Sequence, residues 1–292
     1  MNLALFGRTV TDPMLPYLQG FVQRLEETSG SILIYKPFFD RLNGRINFTK
    51  QPNLFMQEAD LNGKVDFLCT IGGDGTILDA VALTVNSGIP IIGVNMGRLG
   101  FLSSISKDEI IPAMEDILAN NYSLEERTLL HLHGKEDLFG GFPYAMNELT
   151  IHKSDMQTML MIQVSINDEF LNSYWADGLI VSTPTGSTAY SLSCAGPIIA
   201  PGSENLVITP IASHNLTVRP IVIRDDSTIR IVVEGYGDEF FVAMDSRKEK
   251  VKSGMELIVT KAGFSVKLVR LPGRHFFKTI REKLNWGLDA RN

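Results

Sequence analysis

Residues 70 to 80, TIGGDGTILDA, set Gly72, Gly73 and Gly75 around a single acid, Asp74, between an apolar run and a helical pattern. A strand that turns through glycines into a helix points backbone N–H groups at the positive end of the helix dipole. Without side chains in the way, an anion can approach them closely. Gly72, Gly73, Gly75 and Thr76 are therefore candidate phosphate contacts. The alternative is a tight turn in which Asp74 or Thr76 merely caps the helix, a task that needs one glycine at most. A turn built only for an anion has no use for a carboxylate, so on the first reading Asp74 has a task of its own, holding a metal ion or accepting a proton. Phosphoryl transfer and helix capping both stay open on these residues alone.

Other polar groups sit at the ends of apolar runs. Asn147 and Glu148 place an amide beside a carboxylate, a pair able to accept from and donate to vicinal ribose hydroxyls or an adenine edge; they also read as two exposed strand-end polars. Asp177, before Gly178, is either a ligand for a ribose or carboxamide or the cap of a turn. In TPTGSTAYSLS, residues 183 to 193, Pro184 and Gly186 make a turn, and Ser187 or Thr188 starts a short helix. Its small residues let a ligand approach the backbone, which a plain Ser/Thr connection does not require. Tyr190 either stacks on a ring or packs as an ordinary aromatic. There is no G-x-x-x-x-G-K-[ST], no G-x-G-x-x-G after the first strand and no G-x-S-x-G. His131 and His133 share one strand face without a third ligand nearby, so no zinc site is expected.

The elements that must hold these groups divide the chain in two, as 292 residues lead one to expect. In the first third, LALFG, ILIYKPFF, VDFLCTI and IPIIGVNM read as buried strands. Between the last two, Ile77, Leu78, Val81, Ala82 and Val85 recur at helical spacing and Gly88 ends the pattern, making a βαβ unit. From about residue 126, short alternating runs such as MLMIQVSI, NLVITPI and TIRIVVEG leave little room for helices. The expected fold is an α/β N-terminal domain with a doubly wound, mainly parallel sheet over 1–125, a mostly β domain over 126–271, and a terminal helix over 272–292 that docks on a core. No linker or repeat separates the halves.

Composition excludes several functions. A net charge of −6 argues against a nucleic-acid binder that relies on broad phosphate neutralisation. No run approaches eighteen apolar residues, and the N-terminus lacks a signal-peptide pattern, so no membrane role is expected. Cys69 and Cys194 make no paired framework, which suits a reducing cytoplasm.

The GGDGT stretch after a buried strand resembles the superfamily that groups NAD kinases, diacylglycerol and sphingosine kinases and 6-phosphofructokinases. Three further stretches choose among them: GRLGFLSS at 97 to 104, NELTI at 147 to 151 and DGLIVSTPTGSTAYSLSCAGPI at 177 to 198 resemble the NAD kinase family in this order and spacing. HNLTVRPIVI at 214 to 223 and the closing REKLNWG add to the likeness. The resemblance covers most of the chain. It implies transfer of the terminal phosphoryl of ATP, or of another polyphosphate donor, to the 2′-hydroxyl of the adenosine ribose of NAD, giving NADP. Mg²⁺ would accompany ATP, with no fixed protein ligand. It implies a catalytic Asp74 and a dinucleotide site that includes Asp74, Gly75, Asn147, Glu148, Asp177, Thr188, Ala189, Tyr190, Ser191, Leu192, Ser193 and Ala212. A homo-oligomer, dimer or tetramer, is also implied. The chain departs from the family where Asp-Gly-Gln is common and Asp245-Ser246-Arg247 stands instead; Arg247 is then a candidate for reaching a phosphate. Two rivals remain at this point: a lipid or sugar kinase sharing the glycine turn, and a non-catalytic NAD or NADP sensor.

Overall fold

Strands β1 (Asn2–Gly7), β2 (Ser31–Tyr35), β4 (Phe67–Ile71) and β5 (Ile91–Asn95) pair in parallel in the order β2-β1-β4-β5. The short β3 (Asn53–Phe55) extends the sheet beside β2, and β6 (Ile105–Ser106) pairs with β5. Every residue of β4 and β5 is buried, as expected for parallel strands covered on both faces. Helices α1 (Leu15–Thr28), α2 (Lys36–Leu42), α3 (Asp74–Val81) and α4 (Ile110–Leu118) flank this sheet, and Leu18, Phe21, Phe38 and Met114 join Leu5, Cys69 and Ile92 in one core. The computed structural model describes residues 1–28, 30–85, 87–97, 100–134, 138–154, 159–234 and 239–286. Arg98 and Leu99 of the GRLGFLSS stretch and Gly287 of REKLNWG lie outside them.

Two local expectations change. The apolar run ILIYKPFF is a strand followed directly by a helix, because Pro37 suits the first turn of α2 and cannot donate to a ladder. Helix α3 stops at Val81, four residues before Val85. Leu83 and Thr84 donate to the carbonyls of Ala80 and Val81, a tighter turn pattern that Thr84 reinforces by giving its hydroxyl to Val81 as well.

The mostly β unit starts within β7 (Ser123–His133), which pairs with β8 (Tyr144–Ala145). One antiparallel sheet contains β9 (Glu148–Lys153), β12 (Gly178–Ser182), β13 (Asn205–Ile211), β14 (Ile221–Arg224), β16 (Glu239–Met244) and β17 (Arg247–Lys252), in the order β14-β13-β12-β9-β16-β17. A second has β10 (Leu160–Ile166), β11 (Glu169–Ala176), β15 (Ile229–Glu234) and the start of β18 (Glu256–Arg270). Alternate residues of both sheets, Leu149, Ile151, Val181, Phe240 and Val242 from one and Ile162, Val164, Ile231 and Leu257 from the other, share a core. Between β12 and β13 lie a single 3₁₀ turn, Gly186–Thr188, and the four-residue helix α5 (Tyr190–Ser193).

The compact units are Met1–Glu126 with Val266–Asn292, and Arg127–Ser265. The sequence placed 126–271 in the β domain and set the terminal segment apart, but ELIVTKAG and FSVKLVRL form one continuous strand, β18, whose Leu268 pairs with Ile91 of the parallel sheet. The residues after Ser265 therefore belong to the α/β unit, where α6 (Phe276–Leu284) buries Ile280.

Candidate functional site

In the α/β unit, Gly72 to Thr76 join β4 to α3 at the carboxyl end of the sheet, where open parallel sheets place their ligands. The glycines have two different jobs. A side chain on Gly72 would come within 2.2 Å of the Thr76 hydroxyl oxygen, and the Gly72 N–H is given to Val94. Thr76 is itself buried and donates its N–H to Gly73. Gly72 and Thr76, expected as phosphate contacts, thus pack on each other and shape the turn. Gly73 and Gly75 are exposed and face open space where side chains would stand. Asp74 and Gly75 open the helix, so their N–H groups lie at its positive end. The backbone left open to an approaching group is therefore that of Gly73 to Gly75.

Asp74 does not cap α3, since the N-cap is Gly73 and no side-chain cap bond forms. Its carboxylate reaches across to residues 101–103. Oδ1 accepts the N–H groups of Leu102 (3.2 Å) and Ser103 (3.0 Å) and the Ser103 hydroxyl (2.8 Å), while Oδ2 accepts the Phe101 N–H at 2.7 Å. Oδ2 keeps one lone-pair direction for a further donor such as a substrate hydroxyl. Ser103 in turn accepts from Asn95 at the end of β5. The loop passes so close to the carboxylate that a Cβ on Gly100 would lie 1.8 Å from Oδ1. Gly100→Ala must push Asp74 aside, and a displacement of about 1 Å in a reacting group costs on the order of 10²-fold in rate. Turnover of purified Gly100→Ala is expected to fall by about that factor; a near wild-type rate would show that this placement of Asp74 does not matter.

In the β unit, the residues singled out by sequence gather around the start of β9. Thr183, leaving β12, gives its hydroxyl to the Met146 carbonyl (2.6 Å) and its N–H to the Asn147 carbonyl (3.0 Å). A side chain on Gly186 would strike that same Asn147 carbonyl at 2.1 Å, which explains the glycine in TPTGST. The Tyr190 N–H at the start of α5 donates to the Glu148 carboxyl. Glu148 is also register-paired with Ser182, so their side chains share one face. The Glu148 Oε2 and the Ser182 hydroxyl oxygen are both enclosed without a hydrogen-bond partner. Buried polar atoms are rarely left so unless another group completes them, and a ligand hydroxyl would do it. Burial, and then the charge of Asp245, push the Glu148 carboxyl from its ordinary 4.5 up to about 8. Burial of part of the Tyr190 side chain raises its phenol, and Cys194, Asp177 and Glu148 nearby push it the same way. Asp177 is held by Lys153, Nζ to Oδ1 at 2.6 Å, and by its N–H bond to Ile211. Just beyond Ile211, exposed Ala212 takes a left-handed φ of 46°, strain that tends to collect at binding sites.

Not every expected contact faces outward. Ser191 is fully buried and shares a hydrogen bond with Thr209 (2.9 Å), and Gly196 is small because the Ser191 hydroxyl fills the place of its side chain. Ser191 is thus a core residue. Thr188 is half-buried with its hydroxyl turned back to the Thr185 carbonyl, Ala189 and Leu192 are half-buried, and Ser193 is exposed. Arg247, expected to reach a phosphate, instead gives its guanidinium to the carbonyls of Phe142 and Tyr144 and lies 4.6 Å over the Phe142 ring. Three supporting residues escaped the sequence reading. Asp245, Lys153 and the buried Arg127, which donates to the Thr185 hydroxyl, stand far along the chain from the groups they hold, and only the family-like Asp at 245 carried any signal.

Both halves of the chain match known families. The family model for the ATP-NAD kinase N-terminal domain covers residues 47–122, and that for the ATP-NAD kinase C-terminal domain covers 146–271. The NAD kinases of Cytophaga hutchinsonii, Flavobacterium johnsoniae and Bacteroides fragilis are 44%, 42% and 41% identical, each over 100% of both chains. The crystal structure of yeast NADH kinase complexed with NADH superposes with a TM-score of 0.87 at 25% identity, covering 99% of this chain and 89% of that one. An NAD kinase from Archaeoglobus fulgidus in complex with ATP shares the fold, with a TM-score of 0.70 at 22% identity over 98% of this chain and 99% of its own. With the glycine turn in one unit, the Asn147-Glu148 cluster in the other, and relatives matching from end to end, this chain belongs to the NAD kinase family.

Proposed function

We propose that the chain makes NADP by moving the terminal phosphoryl group of ATP, or of a polyphosphate, to the 2′-hydroxyl of the adenosine ribose of NAD. The observation that carries the site is the enclosed, unpartnered Oε2 of Glu148 beside the equally unpartnered Ser182, a receptor for a hydroxyl-bearing ligand on the β unit. The Gly73 to Gly75 backbone receives donor phosphates at the start of α3. Asp74 offers its open Oδ2 direction to the acceptor hydroxyl. A carboxylate is a weak base toward a sugar hydroxyl. In a loose phosphoryl-transfer transition state the hydroxyl becomes acidic only late, so a carboxylate has mainly to orient it and collect the proton.

Among the described residues no group of three or more His, Cys, Asp or Glu gathers to hold a metal ion. We assign Mg²⁺ to the nucleotide, where it would neutralise charge on the donor phosphates. The same reading places the protein in the cytoplasm as a homo-oligomer. Among the described residues no helix is long and apolar enough to cross a membrane.

Incubating the purified protein with ATP, Mg²⁺ and NAD in detergent-free buffer is expected to yield NADP, detected with an NADP-specific dehydrogenase. Phosphorylation of diacylglycerol or fructose 6-phosphate with none of NAD would overturn the proposal in favour of a lipid or sugar kinase. Binding of NAD without any turnover would favour a sensor.

A further inference from the structure

The Asp245-Ser246-Arg247 stretch stands where the resemblance led one to expect Asp-Gly-Gln, and its Arg247 turns to backbone carbonyls. These residues form the tip of the β16–β17 hairpin, with Met244 paired to Arg247 across a two-residue turn. Asp245 takes a left-handed φ of 52°, which Asp tolerates better than most residues. The tip grips residues 142–148 at both ends. Asp245 Oδ2 accepts the Met146 N–H (2.9 Å), and Oδ1 accepts those of Asn147 (2.8 Å) and Glu148 (3.2 Å). The Asp245 N–H returns a bond to the Glu148 carbonyl at 3.0 Å. Arg247 holds the carbonyls of Phe142 and Tyr144 from the other side.

We infer that this hairpin tip is a positioning clamp for the dinucleotide site: Asp245 and Arg247 touch no ligand, but they set the backbone that aims Asn147 and Glu148. The inference rests on the assignment of NAD to that site. Three consecutive N–H groups converging on one carboxyl fix the turn at residues 146–148, and together with Arg247 they counter the burial that raises the Asp245 carboxyl. The Arg247 fork fixes the approach to that turn through two carbonyls, a geometry an amide such as Gln cannot reproduce because it lacks the second donor arm. The clamp also sets the charge state of the ligand-binding carboxyl. Around Glu148 stand Asp245 from the hairpin, the Tyr190 N–H and ring from α5, and Asp177 with its partner Lys153. Among the charges, Asp245 is the one that pushes the Glu148 carboxyl up.

The test uses the full-length protein and NAD itself, with calorimetry of NAD and of ATP binding as a function of pH. Arg247→Gln and Asp245→Asn are expected to weaken NAD binding about 10- to 100-fold, the loss of charge-assisted bonds that orient the site, and to leave ATP binding unchanged. Arg247→Lys recovers part of the loss. Asp245→Asn also removes a negative neighbour, so the pH at which NAD affinity changes through Glu148 moves to lower pH; a role confined to stability would not move it. If Asp245→Asn fails to fold, Arg247→Gln decides alone. Normal NAD affinity and an unshifted pH dependence in folded variants overturn the clamp, provided that Glu148→Gln weakens NAD binding. If Glu148→Gln also binds NAD normally, the assignment of the site itself has failed, and the clamp with it.

Discussion

Asp74→Asn lowers kcat by about 10²- to 10⁴-fold, the range typical of a lost general base, while NAD affinity measured by calorimetry stays close to wild type. The substitution keeps size and reach but removes the charge and turns one oxygen into an NH₂ group. Because Asp74 accepts three N–H groups and one hydroxyl from residues 101–103, that NH₂ must face a donor. A mispaired donor costs about 1 to 3 kcal/mol, so the variant is also expected to melt earlier, and its rate must be measured well below its midpoint. Ser103→Ala separates the two effects. It removes one bond to Oδ1 and leaves the carboxylate charged, so loss of loop order alone would slow both variants alike, whereas loss of the acceptor oxygen slows Asp74→Asn far more. Partial rescue of Asp74→Asn by high Mg²⁺ would point to a metal ligand instead. Turnover near wild type would remove Asp74 from the chemistry.

Measured at pH 8.5, where the carboxyl is mostly ionised, Glu148→Gln raises KM for NAD about 10- to 100-fold, since hydrogen bonds to a charged acceptor are worth about 1.5 to 3 kcal/mol; the same substitution makes the unliganded protein more stable at neutral pH. The second effect follows from the carboxyl's environment. With its pKa raised from 4.5 to about 8 in the fold, Glu148 binds its proton more tightly in the native state than in the unfolded one. The stability this contributes is present below the unfolded value and is lost as pH climbs to about 8, by about 1.4 kcal/mol per unit of upward shift. Gln has no proton to lose. Melting curves from pH 5 to 8.5 should therefore fall for wild type relative to Glu148→Gln. NAD affinity should rise with pH toward 8 in wild type, as the stronger ionised acceptor forms, and stay flat in the variant. Parallel melting curves would show that Glu148 carries no buried proton, and an unchanged KM would remove it from the site.

The glycine turn, the βαβ unit around it and the change from helical to alternating spacing near residue 126 were all legible in the sequence, because each is a local statement. Period tells which face of an element is buried, and glycines between a strand and a helix tell where the backbone must come close to something. The gathering of Asn147, Glu148 and Asp177 with the 183–193 stretch was likewise anticipated, through resemblance rather than through spacing. What local patterns do not report is what lies opposite a side chain. Asp74 looked like a cap or a free base, yet residues 27 to 29 positions later bind it. Thr76 and Ser191 looked like ligand contacts, but Thr76 is buried against Gly72 within the turn and Ser191 bonds Thr209 in the core. Arg247 looked like a phosphate contact until the carbonyls of a segment more than 100 residues earlier in the chain claimed it. The raised carboxyl of Glu148 depends on a burial that exists only once the segment from Thr183 to Tyr190 lies against the start of β9, and on Asp245, 97 positions away. Amino-acid type and spacing determined which chemistry this chain can attempt. Only the tertiary structure decided which groups face a ligand and in what charge state, because hydrogen bonds and desolvation act between residues that folding brings together from far along the chain.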